Sequence, residues 1–213
     1  MAMSEASTPE PVAPGPARKG RVRLRRAALM AVPAVAAGAV LMGLTAQGVL
    51  AAQFSISGMA FSVTADRLDG TGFEQFGAMD HMIPNSPNAG KTGGQVLVAV
   101  SAVKQATLTN LCQSVNLGGT NLKITAGNQG TPVTASELTT DSDLLTGDAQ
   151  FGNIQIGGDA STLNEAGVAG PPGVFGQQSD TVTIQNLRQD NYATTAASFK
   201  LPGLRLSFSG QGC

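Results

Sequence analysis

Residues 53–65 read QFSISGMAFSVTA, a stretch in which apolar and small polar side chains alternate. Phe54 and Ile56, and then Phe61 and Val63, are each separated by a single serine. Successive side chains of a strand point to opposite sides, so a period of two is typical of a strand with one buried face. The stretch therefore predicts that the folded part of the chain begins with β-structure.

Strand signals continue toward the C-terminus. Residues 93–103, GGQVLVAVSAV, follow a glycine pair and are almost continuously apolar, which indicates a central strand. Further strands are predicted over residues 107–115, 121–125, 149–156, 181–187 and 198–208. Turn signals such as LGGTN and AGPPG separate them, and only residues 161–166 favour a helical turn.

These signals predict a mainly β domain, built as a sandwich of short antiparallel strands. An irregular β-solenoid is the alternative, because the segments ATLTNLCQSV, AQFGNIQIGG and TVTIQNLRQD resemble one another. Their equivalent residues Asn110, Asn153 and Asn186 are spaced 43 and 33 positions apart. A solenoid needs near-regular coils, so this unequal spacing favours the sandwich.

The N-terminal region has a different composition. Residues 1–26 are rich in proline and are expected to form a disordered tail. The tail contains six basic residues: Arg18, Lys19, Arg21, Arg23, Arg25 and Arg26. Residues 27–52 carry no charge and would extend about 39 Å as a helix, enough to cross a hydrocarbon core of roughly 30 Å.

This order of charge and apolarity predicts a topology. Under the positive-inside rule the basic tail stays cytoplasmic, residues 27–52 form a transmembrane helix, and residues 53–213 form an extracytoplasmic domain. The length of the apolar stretch favours an uncleaved anchor in the cell membrane. The alternative is a signal peptide that is cleaved near Ala51 and followed by secretion.

The two cysteines, Cys112 and Cys213, both follow the predicted span. Disulfides persist on the exported side of a membrane, and one pair of cysteines has a single intramolecular connectivity. Their bridge would close a loop of about 100 residues and contribute roughly 4–5 kcal/mol in the chain-entropy account. We therefore predict a structural Cys112–Cys213 disulfide that fastens the C-terminus.

A resemblance adds to this interpretation. The segments QFSISGMAFSVTADRLDGTGFEQFG, ATLTNLCQSVNLGGTNL and the C-terminal FGQQSDTVTIQNLRQDNYATTAASFKLPGLRLSFSGQGC are similar to an actinobacterial family. Its members are small proteins with one N-terminal membrane segment and no established function, and some carry a cholesterol esterase label. The resemblance covers about residues 25–213. It implies location and lineage, and includes no motif of known chemistry.

The residues give the esterase label little support. A serine esterase of the α/β-hydrolase type needs G-x-S-x-G together with a histidine and an acid. No G-x-S-x-G occurs, and the nearest serines are Ser57, Ser179 and Ser209. The only histidine is His81, in a segment that predicts an exposed loop. We therefore expect no catalytic residues, although the enzyme question stays open.

Acidic residues raise the question of a calcium site or a glycosidase pair. The candidates are Asp66, Asp69, Glu137, Asp141, Asp143 and Asp148. Their spacing departs from the EF-hand loop, and one Tyr and no Trp offer little for stacking sugars. We interpret the aspartates as solvated turn residues and expect neither a metal nor a cofactor. NLRQDNY predicts an Arg188–Asp190 surface ion pair.

Beyond residue 26 the chain has 7 of its 13 basic residues and 12 of its 14 acidic ones, which argues against a nucleic-acid-binding domain. We expect a cell-surface β-domain with a structural or binding role. The alternatives are an ester or lipid hydrolase and a protein that binds a hydrophobic ligand. The expected partners are membrane lipid, through the N-terminal helix, and a membrane or envelope protein.

Overall fold

The computed structural model describes residues 55–213. The predicted tail, residues 1–26, and the predicted span, residues 27–52, lie outside the described residues. Among residues 55–213, no helix has the length and apolarity needed to cross a membrane. The topology predicted from the N-terminal sequence therefore stays a prediction.

Residues 55–213 fold almost entirely as strands. These are β1 (Phe61–His81), β2 (Gln95–Thr109), β3 (Leu111–Asn116), β4 (Asn121–Ala126), β5 (Val133–Gly152), β6 (Gln155–Asp159), β7 (Phe175–Thr195), β8 (Ser198–Lys200) and β9 (Arg205–Ser209). A 3₁₀ turn, Ala160–Thr162, follows β6 and overlaps the first two residues of the helical turn predicted over residues 161–166. The prediction of a mainly β domain is confirmed.

All nine strands belong to one antiparallel sheet with the order β6-β7-β5-β2-β1-β3-β4-β9, and β8 pairs with β5. Strand β1 also pairs with β7, from Phe61 opposite Asn191 to Phe76 opposite Gly176. Because β1 pairs with β2, β2 with β5, and β5 with β7, these four strands form a closed ring of hydrogen bonding. The antiparallel ladders differ from the stacked coils of a solenoid, and the single sheet differs from a sandwich.

The strands are longer than the sequence suggested. Strands β1 and β7 have 21 residues each, and β5 has 20. Glycines that resemble turn signals lie within these strands, for example Gly72 (φ 63°) and Gly147 (φ 152°). A residue in this conformation can bend a strand without ending it, as in a β-bulge. The prediction of short strands is therefore wrong for β1, β2, β5 and β7, whereas the prediction for residues 121–125 agrees with β4.

The apolar core lies inside the ring. Its buried side chains include Phe73 from β1, Val103 and Leu108 from β2, and Val182 and Leu187 from β7. A second, smaller cluster forms on another face of β1 and β2, where Phe76, Val98 and Val100 pack against the segment after β6. We call residues 160–174 the strap loop, because they cover this second cluster.

Candidate functional site

A buried carboxylate holds the strap loop against β1. Glu74 is 0% exposed, and its Oε1 accepts backbone hydrogen bonds from Ala166 (2.7 Å) and Gly167 (3.2 Å). Its Oε2 accepts from the backbone of Val168 (3.0 Å). Three donors satisfy a charge that would otherwise be costly to bury. Next to it in register, Gln178 accepts from the backbone N–H of Asn164 (2.9 Å), so two strands fasten the loop.

Two aspartates meet across β2. The carboxyl groups of Asp80, in β1, and Asp141, in β5, interact electrostatically. Burial raises the pKa of Asp141 to about 6, and the charge of Asp80 and the hydrogen bond to it act in the same direction. Burial also raises the pKa of Asp80, with an opposing contribution from His81.

The raised pKa of Asp141 favours a proton on this pair. Asp80 Oδ2 is buried and has no hydrogen-bond partner among the described residues, and a protonated Asp141 would offer it a donor. One proton shared between the two carboxyl groups removes the like-charge repulsion of the pair. Nearby, the Tyr192 hydroxyl donates to Asp143 (3.4 Å), and burial raises its pKa. Within residues 55–213 no group of three or more His, Cys, Asp or Glu side chains is arranged to hold a metal ion.

The other acidic candidates lie in strands rather than turns. Asp66 and Asp69 belong to β1, and Glu137, Asp141, Asp143 and Asp148 belong to β5. The interpretation of the five aspartates as turn residues is therefore wrong. Asp69 pairs with Arg67 (2.6 Å), whose hydrogen bond holds the pKa of that carboxyl below its usual range. The predicted contact between Arg188 and Asp190 is present at 3.9 Å on the surface.

Three asparagines share a local motif that explains the resemblance between the segments in which they lie. Asn110, Asn153 and Asn186 all adopt a left-handed backbone, with φ of 54°, 55° and 52°. Asparagine tolerates this conformation better than most residues do. Each side-chain amide donates to a carboxylate on a neighbouring strand: Asn110 to Asp66, Asn153 to Asp180, and Asn186 to Asp148. The similarity therefore reflects a recurring bend, not a solenoid period.

The residues suggested by the esterase label do not assemble. Ser179 is buried and donates to the carbonyl of Thr181 (3.1 Å). Ser57 and Ser209 accept hydrogen bonds from backbone N–H groups two residues ahead. His81, the last residue of β1, contacts Gln95 (3.3 Å), and none of the three serines is its hydrogen-bond partner within residues 55–213.

The structure brings Cys112 and Cys213 together. Their sulfurs are 2.07 Å apart and their Cα atoms 5.9 Å apart, which is disulfide geometry across a sequence separation of 101. The C-terminal tail, residues 210–213, then lies on one face of β3 and β4. The backbone N–H of Cys213 donates to Ser114 (2.8 Å), and Lys123 reaches the carbonyl of Gly212 (3.5 Å).

The opposite face of β3, β4 and β9 is apolar, and we call it the β9 face. Side chains two residues apart on a strand share a face, and register partners share it across strands. On this face Leu206 pairs with Ile124, and Phe208 pairs with Leu122. Leu206 is 58% and Phe208 68% exposed. Because β9 ends the sheet, its outer hydrogen-bonding edge has no partner strand within the described residues.

A cavity lies between the core and the β9 face. Leu111 and Gln113, from the inner part of that face, line it together with core residues such as Phe73 and Leu187. Its volume is about 40 Å³. Since one water needs roughly 10–15 Å³ by that measure, the cavity suits a few waters and not a sterol.

Glu74, the Asp80–Asp141 pair and the β9 face are the features that sequence reasoning missed. The bonds from Glu74 join residues 92 to 94 positions apart, so no local motif marks them. The β9 face was visible as the alternation in LRLSF, residues 204–208. Only the strand order shows that this alternation lies at a sheet edge.

These features define an all-β domain with one disulfide bond, a closed ring of hydrogen-bonded strands and an exposed apolar edge strand. Residues 57–213 match the Family of unknown function (DUF6230), and the chain belongs to this family. No curated protein and no solved structure matches the chain. The prediction of a family without established function is thereby confirmed, whereas its actinobacterial lineage and esterase label stay predictions.

Proposed function

We propose that this protein is a membrane-tethered extracytoplasmic domain that binds a membrane or envelope protein through the β9 face. The observation that carries the proposal is the pair of exposed side chains, Leu206 and Phe208, on an edge strand. A soluble domain gains nothing in stability by exposing them, and exposed apolar edges are common sites of protein association. A partner segment can add to β9 as a further strand, with its own apolar side chains on this face.

The location rests on separate observations. The basic residues from Arg18 to Arg26 precede the apolar residues 27–52, which supports an inward N-terminus. The paired Cys112 and Cys213 suit the oxidising side of a membrane. Non-reducing peptide mass spectrometry of the full chain from cells should find the two cysteines crosslinked. Two freely alkylated thiols would count against the location.

Photo-crosslinking tests the binding role. A photoreactive phenylalanine analogue is placed at Phe208 in the full chain in cells, and at Phe175 as a control with similar exposure (60%). We expect one discrete membrane or envelope protein in the Phe208 adduct, none with the control, and loss of the adduct when Leu206→Lys is added. The same adducts at both positions, or an adduct unaffected by Leu206→Lys, would contradict binding at the β9 face.

The hydrolase alternative can be separated by an active-site serine probe and by steryl and short-chain ester substrates. The proposed binding role predicts no covalent labelling and no turnover by the full chain. Labelling together with turnover that is lost in His81→Ala would establish the hydrolase instead. Carriage of a hydrophobic ligand has less support, because the cavity would have to expand several-fold to hold an acyl chain.

A further inference from the structure

The structure fixes the beginning of the domain to the tip of the β1–β2 hairpin, which we define as residues 82–94. Ile56 donates its backbone N–H to the carbonyl of His81 (3.0 Å) and bridges Met82 in parallel register. The side-chain amide of Asn88 donates to the carbonyl of Ser57 (2.8 Å). The chain therefore joins the domain at this hairpin tip.

Exposed apolar side chains lie at the same place. Met79 and Leu97 are register partners on β1 and β2, and they are 48% and 70% exposed. Ile83, at the start of the tip, is 60% exposed. We call these three residues the tip patch. Isolated exposed apolar residues are ordinary, but a cross-strand pair beside an isoleucine at a hairpin tip forms a local apolar surface.

The charge of the hairpin differs from that of the rest of the domain. Residues 81–97, HMIPNSPNAGKTGGQVL, contain no Asp or Glu and include Lys91 and His81. By contrast, 12 of the 14 acidic residues of the chain lie after residue 26. An acidic domain is repelled by anionic headgroups. Residues 81–97 lessen that repulsion because they lack acidic side chains and carry an exposed lysine, and the nearest carboxyl group is that of Asp80, beside Met79.

We propose that the tip patch inserts into the surface of an anionic lipid bilayer. This inference rests on the tether in the proposed function. The predicted span ends at Ala52, three residues before Ser55, and three residues extend at most about 10 Å. The hairpin tip is thus held beside the headgroup layer, where apolar side chains can bury roughly 5–10 Å deep. The tether fixes the distance between the hairpin tip and the headgroup layer. The tip patch determines which surface of the domain faces the lipid.

The absence of tryptophan from the chain permits a direct test. Leu97→Trp and Met79→Trp each introduce one indole at an exposed position. Phe208→Trp is the matched control, because Phe208 is 68% exposed and its strand, β9, is four places from β2 in the strand order. Each full-length variant is reconstituted in vesicles of phosphatidylcholine and phosphatidylglycerol, with or without brominated acyl chains. Vesicle flotation reports the tether, and quenching of the indole by bromine reports insertion.

We expect the indole of Leu97→Trp and of Met79→Trp to lose emission intensity to brominated lipid and to shift to the blue, with no change for Phe208→Trp. If the variants float with vesicles but their quenching equals that of Phe208→Trp, the inference fails and the tether stands. If the chain does not float, the tether itself fails. A blue shift that depends on protein concentration and not on lipid would assign the tip patch to a second copy, and would overturn lipid insertion.

Discussion

Replacing Glu74 with glutamine removes the charge from a fully buried carboxylate that three backbone N–H groups of the strap loop share. The amide keeps the shape of the side chain, but one of its two ends becomes a donor. If its oxygen faces Ala166 and Gly167, its NH₂ group faces the N–H of Val168, and that N–H loses its acceptor. The substitution therefore weakens two bonds and breaks the third.

The size of this effect follows from the bonds. A hydrogen bond to a charged group contributes about 1.5–3 kcal/mol, and an unsatisfied buried donor costs about 1–3 kcal/mol. The strap loop is partly exposed and can open to water, so the loss is limited to the local opening free energy, which we expect to fall by about 3 kcal/mol. That corresponds to roughly a hundredfold faster exchange of the loop amides.

Hydrogen exchange followed by mass spectrometry measures this directly on peptides that cover Ala166–Val168. Glu165→Gln is the matched control, because Glu165 lies in the same loop and its carboxylate makes no hydrogen bond within the described residues. In Glu74→Gln the loop peptides should exchange faster, while peptides from β2 and β5 keep their protection. Unchanged exchange in Glu74→Gln, or an equal increase in Glu165→Gln, would refute the role of Glu74 as the fastening.

Three further predictions concern stability. Cys213→Ser should lower the free energy of unfolding by about 2–5 kcal/mol, because it removes the disulfide that closes a long loop. Chemical denaturation measures this, and equal midpoints for the oxidised native protein and the variant would count against the disulfide. The pKa of Asp141 is raised to about 6, against 3.8 for a free aspartate, so its protonated form contributes to the free energy of unfolding. This contribution is fully present below about pH 4 and is lost as the pH rises through 6. Asp141→Asn should abolish that loss, which amounts to about 1–2 kcal/mol after allowance for solvent screening. Urea midpoints compared between about pH 4 and pH 7 measure it, and an unchanged pH dependence in the variant would contradict the prediction. The Asn110→Ala variant should be less stable than the Asn110→Gly variant by about 1–2 kcal/mol. Both lose the hydrogen bond to Asp66, but only alanine disfavours the left-handed backbone conformation. Equal melting temperatures of the two variants would contradict this.

The class of the fold could be predicted because the side-chain alternation that marks a strand is local. The strand predicted over residues 121–125 agrees with β4 to within one residue. The turn signal IPNSPNAGKTGG, residues 83–94, agrees with the connection between β1 and β2, whereas His81, expected in a loop, is the last residue of β1. Strand length could not be predicted, since Gly72 and Gly147 resemble turn residues although they bend continuous strands. TTDSDLLTGD, residues 139–148, resembles a turn for this reason but lies within β5.

The candidate sites depend on distant contacts, which alternation does not encode. Asp80 and Asp141 meet only because β2 pairs with both β1 and β5. The exposure of Phe208 depends on β9 being at the end of the sheet and on the C-terminal tail taking the opposite face. Cysteine pairing was accessible from the sequence because two cysteines allow only one connectivity within the chain.

The closed ring has a consequence for biosynthesis. The first strand completes its pairing with β7, and the Ser62 hydroxyl donates to Asp190, 128 residues later. The final residue, Cys213, supplies the second sulfur. The ring therefore cannot close until the residues of β7 have been synthesised. Until then β1 can pair only with β2 and β3, and the hydrogen-bonding edge that β7 later covers has no partner among the described strands.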